Sequence, residues 1–360
     1  MKRVLSTALG VATLAACASK TPPTETAAGA LTGVQALEAE NPVKPLPTLP
    51  LGLSQTFEEL PEPPKPETVR LGRWLFYDKR LSKDGTVACA TCHRPENAFS
   101  EDTPVSTGIA GQKGGRKAPS FTNQAWTIYP NFFWDGRADS LEAQAVGPMA
   151  NPIEMGNTHE SVVATIQKTS YAKYFQEAFG SPEITIQKVA KAIADYERTR
   201  VSGNSIADKM ADGDETVGND QIKQGKALFF GKAECNQCHL GQNYTDSLFH
   251  NLGIGWDESK KAFKDEGRSA ISKKKEDTGA FKTPGLRDIT KHAPYMHDGS
   301  IATLKEVVQH YNKGGNKNPY LSPKIRPLNL TDAEVDAVVA FMQALDGEGY
   351  MDTAPTLFPQ

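Results

Sequence analysis

The 360-residue sequence predicts a mainly α protein made of two similar domains. Three observations carry that prediction. One five-residue pattern occurs twice, as Cys89-Ala90-Thr91-Cys92-His93 and as Cys235-Asn236-Gln237-Cys238-His239. A related segment precedes each copy, Leu71-Gly72-Arg73-Trp74-Leu75-Phe76-Tyr77 and Gln224-Gly225-Lys226-Ala227-Leu228-Phe229-Phe230, so the chain repeats itself internally. Apolar residues return at helical spacing near the end of each half, whereas alternating strand runs are scarce.

Taken in chain order, Lys2 and Arg3 precede an apolar run from Val4 to Ala16, which ends in Leu14-Ala15-Ala16-Cys17. A charged start, a short apolar stretch and small residues before a cysteine read as an export leader over 1–17, too short for a membrane span. The pattern resembles a bacterial lipoprotein signal, with Cys17 as the acylated first residue of the mature chain. Ala18, where a retention signal would place Asp, favours the outer membrane. Residues 18–66 are rich in Pro, Thr, Ala and Glu and are expected to form a tether. The first domain is placed at 67–205 and the second at 206–350, with a Gly/Asn/Asp-rich linker over 203–218 and a tail over 351–360. Formal net charge is −3, and loss of Lys2 and Arg3 makes it more acidic. Such a surface does not point to nucleic acid and suits a basic protein partner.

Cys-x-x-Cys-His is the attachment pattern of c-type haem: two thiols bond the porphyrin edge and the next imidazole meets the iron. A zinc knuckle or a vicinal disulfide leaves the His after both pairs unexplained. Cys89, Cys92 and His93, and Cys235, Cys238 and His239, are therefore assigned to two covalently bound haem c groups, with His93 and His239 as proximal iron ligands. Cys17 is the fifth cysteine, so haem attachment accounts for all the others. Each half closes with an amphipathic helix. Val189, Ile193 and Tyr196 share a face in the first; Thr331 and Asp332 cap the second, whose stripe is Val335, Val338, Val339, Met342 and Leu345. An early helix, a haem loop and a late helix over the porphyrin make a cytochrome c-like domain, twice.

Between the first haem motif and its closing helix lies Phe132-Phe133-Trp134-Asp135-Gly136-Arg137-Ala138-Asp139-Ser140-Leu141-Glu142-Ala143-Gln144-Ala145-Val146-Gly147-Pro148, followed by Asn151-Pro152-Ile153-Glu154-Met155-Gly156. With Leu81-Ser82-Lys83-Asp84-Gly85, Phe281-Lys282-Thr283-Pro284-Gly285-Leu286-Arg287 and Ala293-Pro294-Tyr295-Met296-His297-Asp298-Gly299, this resembles the bacterial dihaem cytochrome c peroxidase family, which includes MauG. The resemblance runs from about Val69 to Leu345. It implies that Glu154 is the acid/base group at the peroxide-reacting haem, Gln144 its polar companion, Pro148 part of the distal wall, and Trp134 a relay between the haems. The chemistry agrees: breaking an O–O bond heterolytically needs a proton-transfer group near the distal oxygen. A Glu in an apolar pocket also has a raised pKa.

Many members of that family carry a displaceable distal His in the loop after the first haem. Here that loop is Thr107-Gly108-Ile109-Ala110-Gly111-Gln112-Lys113-Gly114-Gly115, and no His occurs between His93 and His159. The first iron is thus expected to be open without reductive activation. For the second haem the resemblance offers Tyr311 as the far-side ligand and Met296 as its rival, a choice that sets the redox potential. His250, His292, His297 and His310 are expected at the surface or around the haem. A calcium ion between the domains is typical of the family. Its usual Asn ligand is replaced by Lys117 in Arg116-Lys117-Ala118-Pro119, leaving backbone carbonyls near His292 and Pro294 as donors.

The implied activity is reduction of hydrogen peroxide to water with electrons from a small periplasmic cytochrome c or cupredoxin. The alternative is a MauG-like enzyme that uses peroxide, through a high-valent dihaem state, to oxidise Trp or Tyr residues of a partner protein. A non-catalytic electron carrier is the third reading, against which Glu154 and Gln144 argue. Either enzyme would sit in the periplasm on a lipid anchor.

Overall fold

The computed structural model describes residues 33–127 and 129–360. The expected leader, Cys17 and the start of the expected tether lie outside the described residues. Among the described residues, no helix is long and apolar enough to cross a membrane.

The helices are α1 (Val34–Glu40), α2 (Pro66–Tyr77), α3 (Cys89–Cys92), α4 (Leu141–Ala150), α5 (His159–Gln167), α6 (Tyr171–Phe179), α7 (Ile186–Arg198), α8 (Ile206–Ala211), α9 (Asp220–Phe230), α10 (Ser269–Ser272), α11 (Leu304–Asn312) and α12 (Asp332–Gln343). Strands are short: β1 (Phe249–Asn251) pairs antiparallel with β4 (Ala280–Lys282), and β2 (Trp256–Asp257) with β3 (Ala262–Phe263). The protein is mainly α, in two domains.

Each half is built on one helix crossing. In the first, α2 lies on α7 so closely that a Cβ on Gly72 would stand 1.8 Å from the Ala192 carbonyl oxygen. In the second, a Cβ on Gly225 of α9 would stand 1.9 Å from the Ala337 oxygen of α12. Glycine is needed because backbone meets backbone. Apolar stripes then seal the crossings: Val189, Ile193 and Tyr196 are fully buried, as are Val335, Val338 and Leu345. The Thr331 hydroxyl caps α12 by accepting the Glu334 N–H.

The duplication extends further than the haem motifs. The Phe132 N–H bonds Ala138 O at 2.7 Å, and the Tyr295 N–H bonds Ile301 O at 2.6 Å. Phe133 (φ 64°) and Met296 (φ 75°) both take the left-handed conformation, as do Gly136 and Gly299. Ser140 then caps α4 and Thr303 caps α11 by the same bond to the third residue on. Trp134 is thus the counterpart of His297. Counting along the two helices, Pro148 is the counterpart of Tyr311. A second repeated arm runs from Lys117-Ala118-Pro119 to Asn123 and from Lys282-Thr283-Pro284 to Asp288, ending at left-handed residues in both cases. Each arm clasps the other half: the Lys117 N–H bonds His297 O and the Lys282 N–H bonds Trp134 O, both at 2.8 Å.

Three expectations of loose chain are corrected. Residues 33–66 are no free tether: Leu37 joins the first core, and Leu46, Leu49, Leu53, Phe57 and Leu60 pack on Trp126 and Val201. Sparse leucines in a Pro-rich extended chain suffice, because the chain lies in a groove rather than forming its own core. The tail returns to the first half, where Phe358 packs on the core and Leu357 O accepts the Trp74 indole N–H at 3.1 Å. The linker holds α8, whose Asp208 pairs with Arg287 at 2.7 Å, both side chains 4% exposed. A buried pair in which each charge satisfies the other fixes this segment in place.

Gly225→Ala forces the crossing apart and should cost about 1–3 kcal/mol. A thermal melt reads it, with a larger loss in the second half's haem-linked absorbance than in the first.

Candidate active site: two facing haem cavities

Two cavities open on either side of the clasp. The first, of about 580 Å³, is lined by Cys89, Cys92 and His93 together with Gln144, Pro148 and Glu154. The second, narrower at about 170 Å³, is lined by Cys235, Cys238 and His239 with Tyr311 and Met296. Trp134 lines both.

The residues present fit c-type haem. His93 Nδ1 lies 2.9 Å from Phe99 O and His239 Nδ1 lies 2.8 Å from Tyr244 O, contacts that place the proton on Nδ1 and leave Nε2 a free donor atom. Burial holds both imidazoles below their usual pKa, hence neutral. Burial also pushes the Cys92 thiol up to about 11 and Cys235 up to about 12. Buried protonated thiols beside one imidazole are a poor zinc set, which wants thiolates and four ligands. They suit thioether formation with a porphyrin filling the cavity.

Opposite His93, α4 sets Gln144 and Pro148 one turn apart on one face. Pro152 pushes Asn151 out of the helical region, so α4 stops at Ala150 and the chain turns. Asn151 O takes the N–H groups of Glu154 and Gly156, and the Pro148 carbonyl takes that of Met155. Gly156 carries φ 60° here, which the turn requires. Glu154 is thereby presented to the cavity. Desolvation raises its carboxyl above the usual Glu range, opposed by the Arg137 guanidinium and the Asn151 side chain. The His-free loop 107–115 is pinned on the same wall, the Ile109 N–H bonding Glu154 O at 2.8 Å.

Trp134 is fixed at both ends. Its indole N–H bonds Lys117 O at 2.8 Å, and its own carbonyl takes the Lys282 N–H. Next to it, Asp135 pairs with Arg116 at 2.6 Å, and Arg116 pairs with Asp265 at 2.7 Å across the clasp.

Among the remaining histidines, His292, His297 and His310 are buried rather than superficial. His297 stacks on Phe281 with ring centroids 3.5 Å apart and stands 6.5 Å from the Trp134 ring. His310 Nε2 meets Leu252 O at 3.0 Å, just past β1. In the segment expected to offer calcium carbonyls, Ala293 O is instead 3.5 Å from the Lys117 ammonium.

Sequence reading missed two residues of the first cavity. Glu197, on α7, is 3% exposed with an unpartnered carboxyl oxygen, and burial pushes its pKa up to about 8. Lys117 was read only as a failed calcium ligand. The signal for both was the internal repeat, which pairs Glu197 with Met342 and Lys117 with Lys282.

Two cavities of this kind in one duplicated chain define a two-haem c-type cytochrome. Family comparison agrees: residues 66–216 match the di-haem cytochrome c peroxidase model and residues 222–346 the cytochrome c model. The methylamine utilization protein MauG of Methylorubrum extorquens is 42% identical over 299 residues, covering 82% of each chain. The cytochrome c551 peroxidase of Nitrosomonas europaea is 35% identical over 296 residues, 79% of this chain and 82% of its own. The crystal structure of a MauG-like protein associated with microbial copper homeostasis superposes with a TM-score of 0.74 at 32% identity, covering 85% of this chain and 95% of that one. The chain belongs to the di-haem cytochrome c peroxidase family, whose members include MauG, and is an oxidoreductase carrying haem c.

Both haems should stay with the polypeptide on a denaturing gel, and a pyridine haemochrome assay should count two. The double variant Cys89→Ala, Cys92→Ala should count one; a count of two would break the attachment assignment.

Proposed function

We propose that the protein reduces hydrogen peroxide to water at the first haem, with electrons from a small periplasmic cytochrome c or cupredoxin entering at the second. The observation that carries this reading is Glu154 facing the same cavity as His93, on the wall that also presents Gln144. Bound haem would supply an iron that passes the donor's electrons on to peroxide. Turning peroxide into two waters consumes two electrons and two protons. Glu154, as carboxylate, takes the proton from the bound end of peroxide and, as acid, delivers it to the departing oxygen. Gln144 orients that oxygen. Trp134, in the wall common to both cavities, carries charge between them.

Pro148 at the position of Tyr311 supports an open first face and a closed second one. A pyrrolidine ring offers no donor atom, whereas a phenol does. Tyr311 is therefore our choice for the far-side ligand of the second haem, with Met296 in the same cavity as its competitor. The phenol also favours the second reading, oxidation of Trp or Tyr side chains of a partner protein at the expense of peroxide, since an anionic oxygen ligand stabilises oxidised iron. Steady-state peroxide turnover with reduced cytochrome c separates the two: rapid turnover supports the peroxidase, and single-turnover reaction without donor oxidation supports the partner-protein oxidase. We place the enzyme in the periplasm on a lipid at Cys17, which Cys17→Ser would release from the membrane fraction.

Glu154→Gln should slow the reaction with peroxide by about 10²–10⁴-fold, with the haem spectra unchanged. In the wild type the rate should rise with pH through a midpoint above the ordinary Glu value of 4.5, because desolvation raises the folded-state pKa and the carboxylate is the active form. A stopped-flow pH series checks both. Trp134→Phe should leave peroxide binding intact and slow the second haem's oxidation.

A further inference from the structure

Two lysines, Lys117 buried and Lys282 half-buried, remain that the proposed mechanism does not use. Lys117 is 4% exposed and lines the first cavity. Its ammonium has one distant partner, Ala293 O at 3.5 Å. The neighbouring carboxylates are engaged elsewhere: Glu101 accepts the Ser106 hydroxyl and the Ala118 N–H, and Asp102 pairs with Arg94 at 2.7 Å. Lys282, its counterpart in the repeat, lines the wall shared by both cavities and has its ammonium 5.2 Å from the Phe132 ring centre. Among the described residues neither is in an ion pair. Burial pushes both ammonium groups down to about 8. Glu101 and Asp102 offset the Lys117 charge only in part, and a desolvated cation without a close ion-pair partner is costly, the usual remedy being a partner of opposite charge.

Haem carries carboxylate side chains at the porphyrin edge opposite its thioether bonds, and both lysines line the cavities that the haems would fill. We propose that Lys117 and Lys282 are the resident counter-ions of the haem carboxylates, Lys117 for the first haem and Lys282 for the second. The backbone N–H groups of the same two residues clasp His297 and Trp134 of the opposite half. Each lysine thus joins one haem's acidic edge to the contact between the halves, and holds positive charge near an iron that must accept electrons. The inference rests on the two-haem assignment and is independent of Glu154.

Covalent attachment keeps the haems in place when a counter-ion is lost, so the test uses the two-haem protein. Lys117→Met should lower the midpoint potential of the first haem and shift its propionate bending band in resonance Raman spectra, while Lys117→Arg preserves both. Lys282→Met should do the same to the second haem. Should Lys117→Met fail to fold, Lys117→Gln carries the same expectation. Unchanged potentials and bands in the neutral variants, with two haems still counted, would overturn the inference. A count below two would instead fail the haem assignment.

Discussion

The constraint on which the rest depends is that each haem site is fixed from one side only. Two thiols and an imidazole whose Nδ1 meets a backbone carbonyl would hold each porphyrin from one face. The crossing helices of each half are held against one another by glycine-to-carbonyl approaches at Gly72 and Gly225. Beyond that shared frame the halves differ in added elements, α5 and α6 in the first and the β-strands in the second, and in the side chains of the far face and the junction. A duplicated scaffold can thereby hold two chemically different irons without altering its core.

On the far face the difference comes down to what one helix presents. α4 carries Pro148 in its last turn and leads into a tight turn that offers Glu154, while α11 offers Tyr311 at the corresponding position. A side chain without a donor atom and one with a phenol oxygen, on the same frame, are the basis of our proposal that one site is open and the other closed. The junction is equally economical. Trp134 and His297 exchange carbonyl bonds with the opposite arms, so the wall between the cavities belongs to both halves at once. An indole held at its N–H and at its carbonyl has little freedom to move, which suits a fixed step for charge transfer.

Much of this was legible in the sequence because it is local. The Cys-x-x-Cys-His pairs, the helical stripes of α7 and α12, and the segment from Phe132 to Gly156 each carry their meaning within a few residues. What the sequence hid is long-range. The leucines of residues 46–60 are too sparse to announce a core, and they have meaning only against Trp126 and Val201. The left-handed turns at Phe133 and Met296 use residues that do not advertise positive φ. The match of Lys117 to Lys282 is weak in sequence and becomes visible when both arms are seen clasping the opposite half.

An asymmetric pair of irons is the central claim, and electron paramagnetic resonance of the resting ferric protein tests it most directly. The account predicts one high-spin signal from the open first haem and one low-spin signal from the doubly ligated second. Two low-spin signals in the protein as isolated would contradict it.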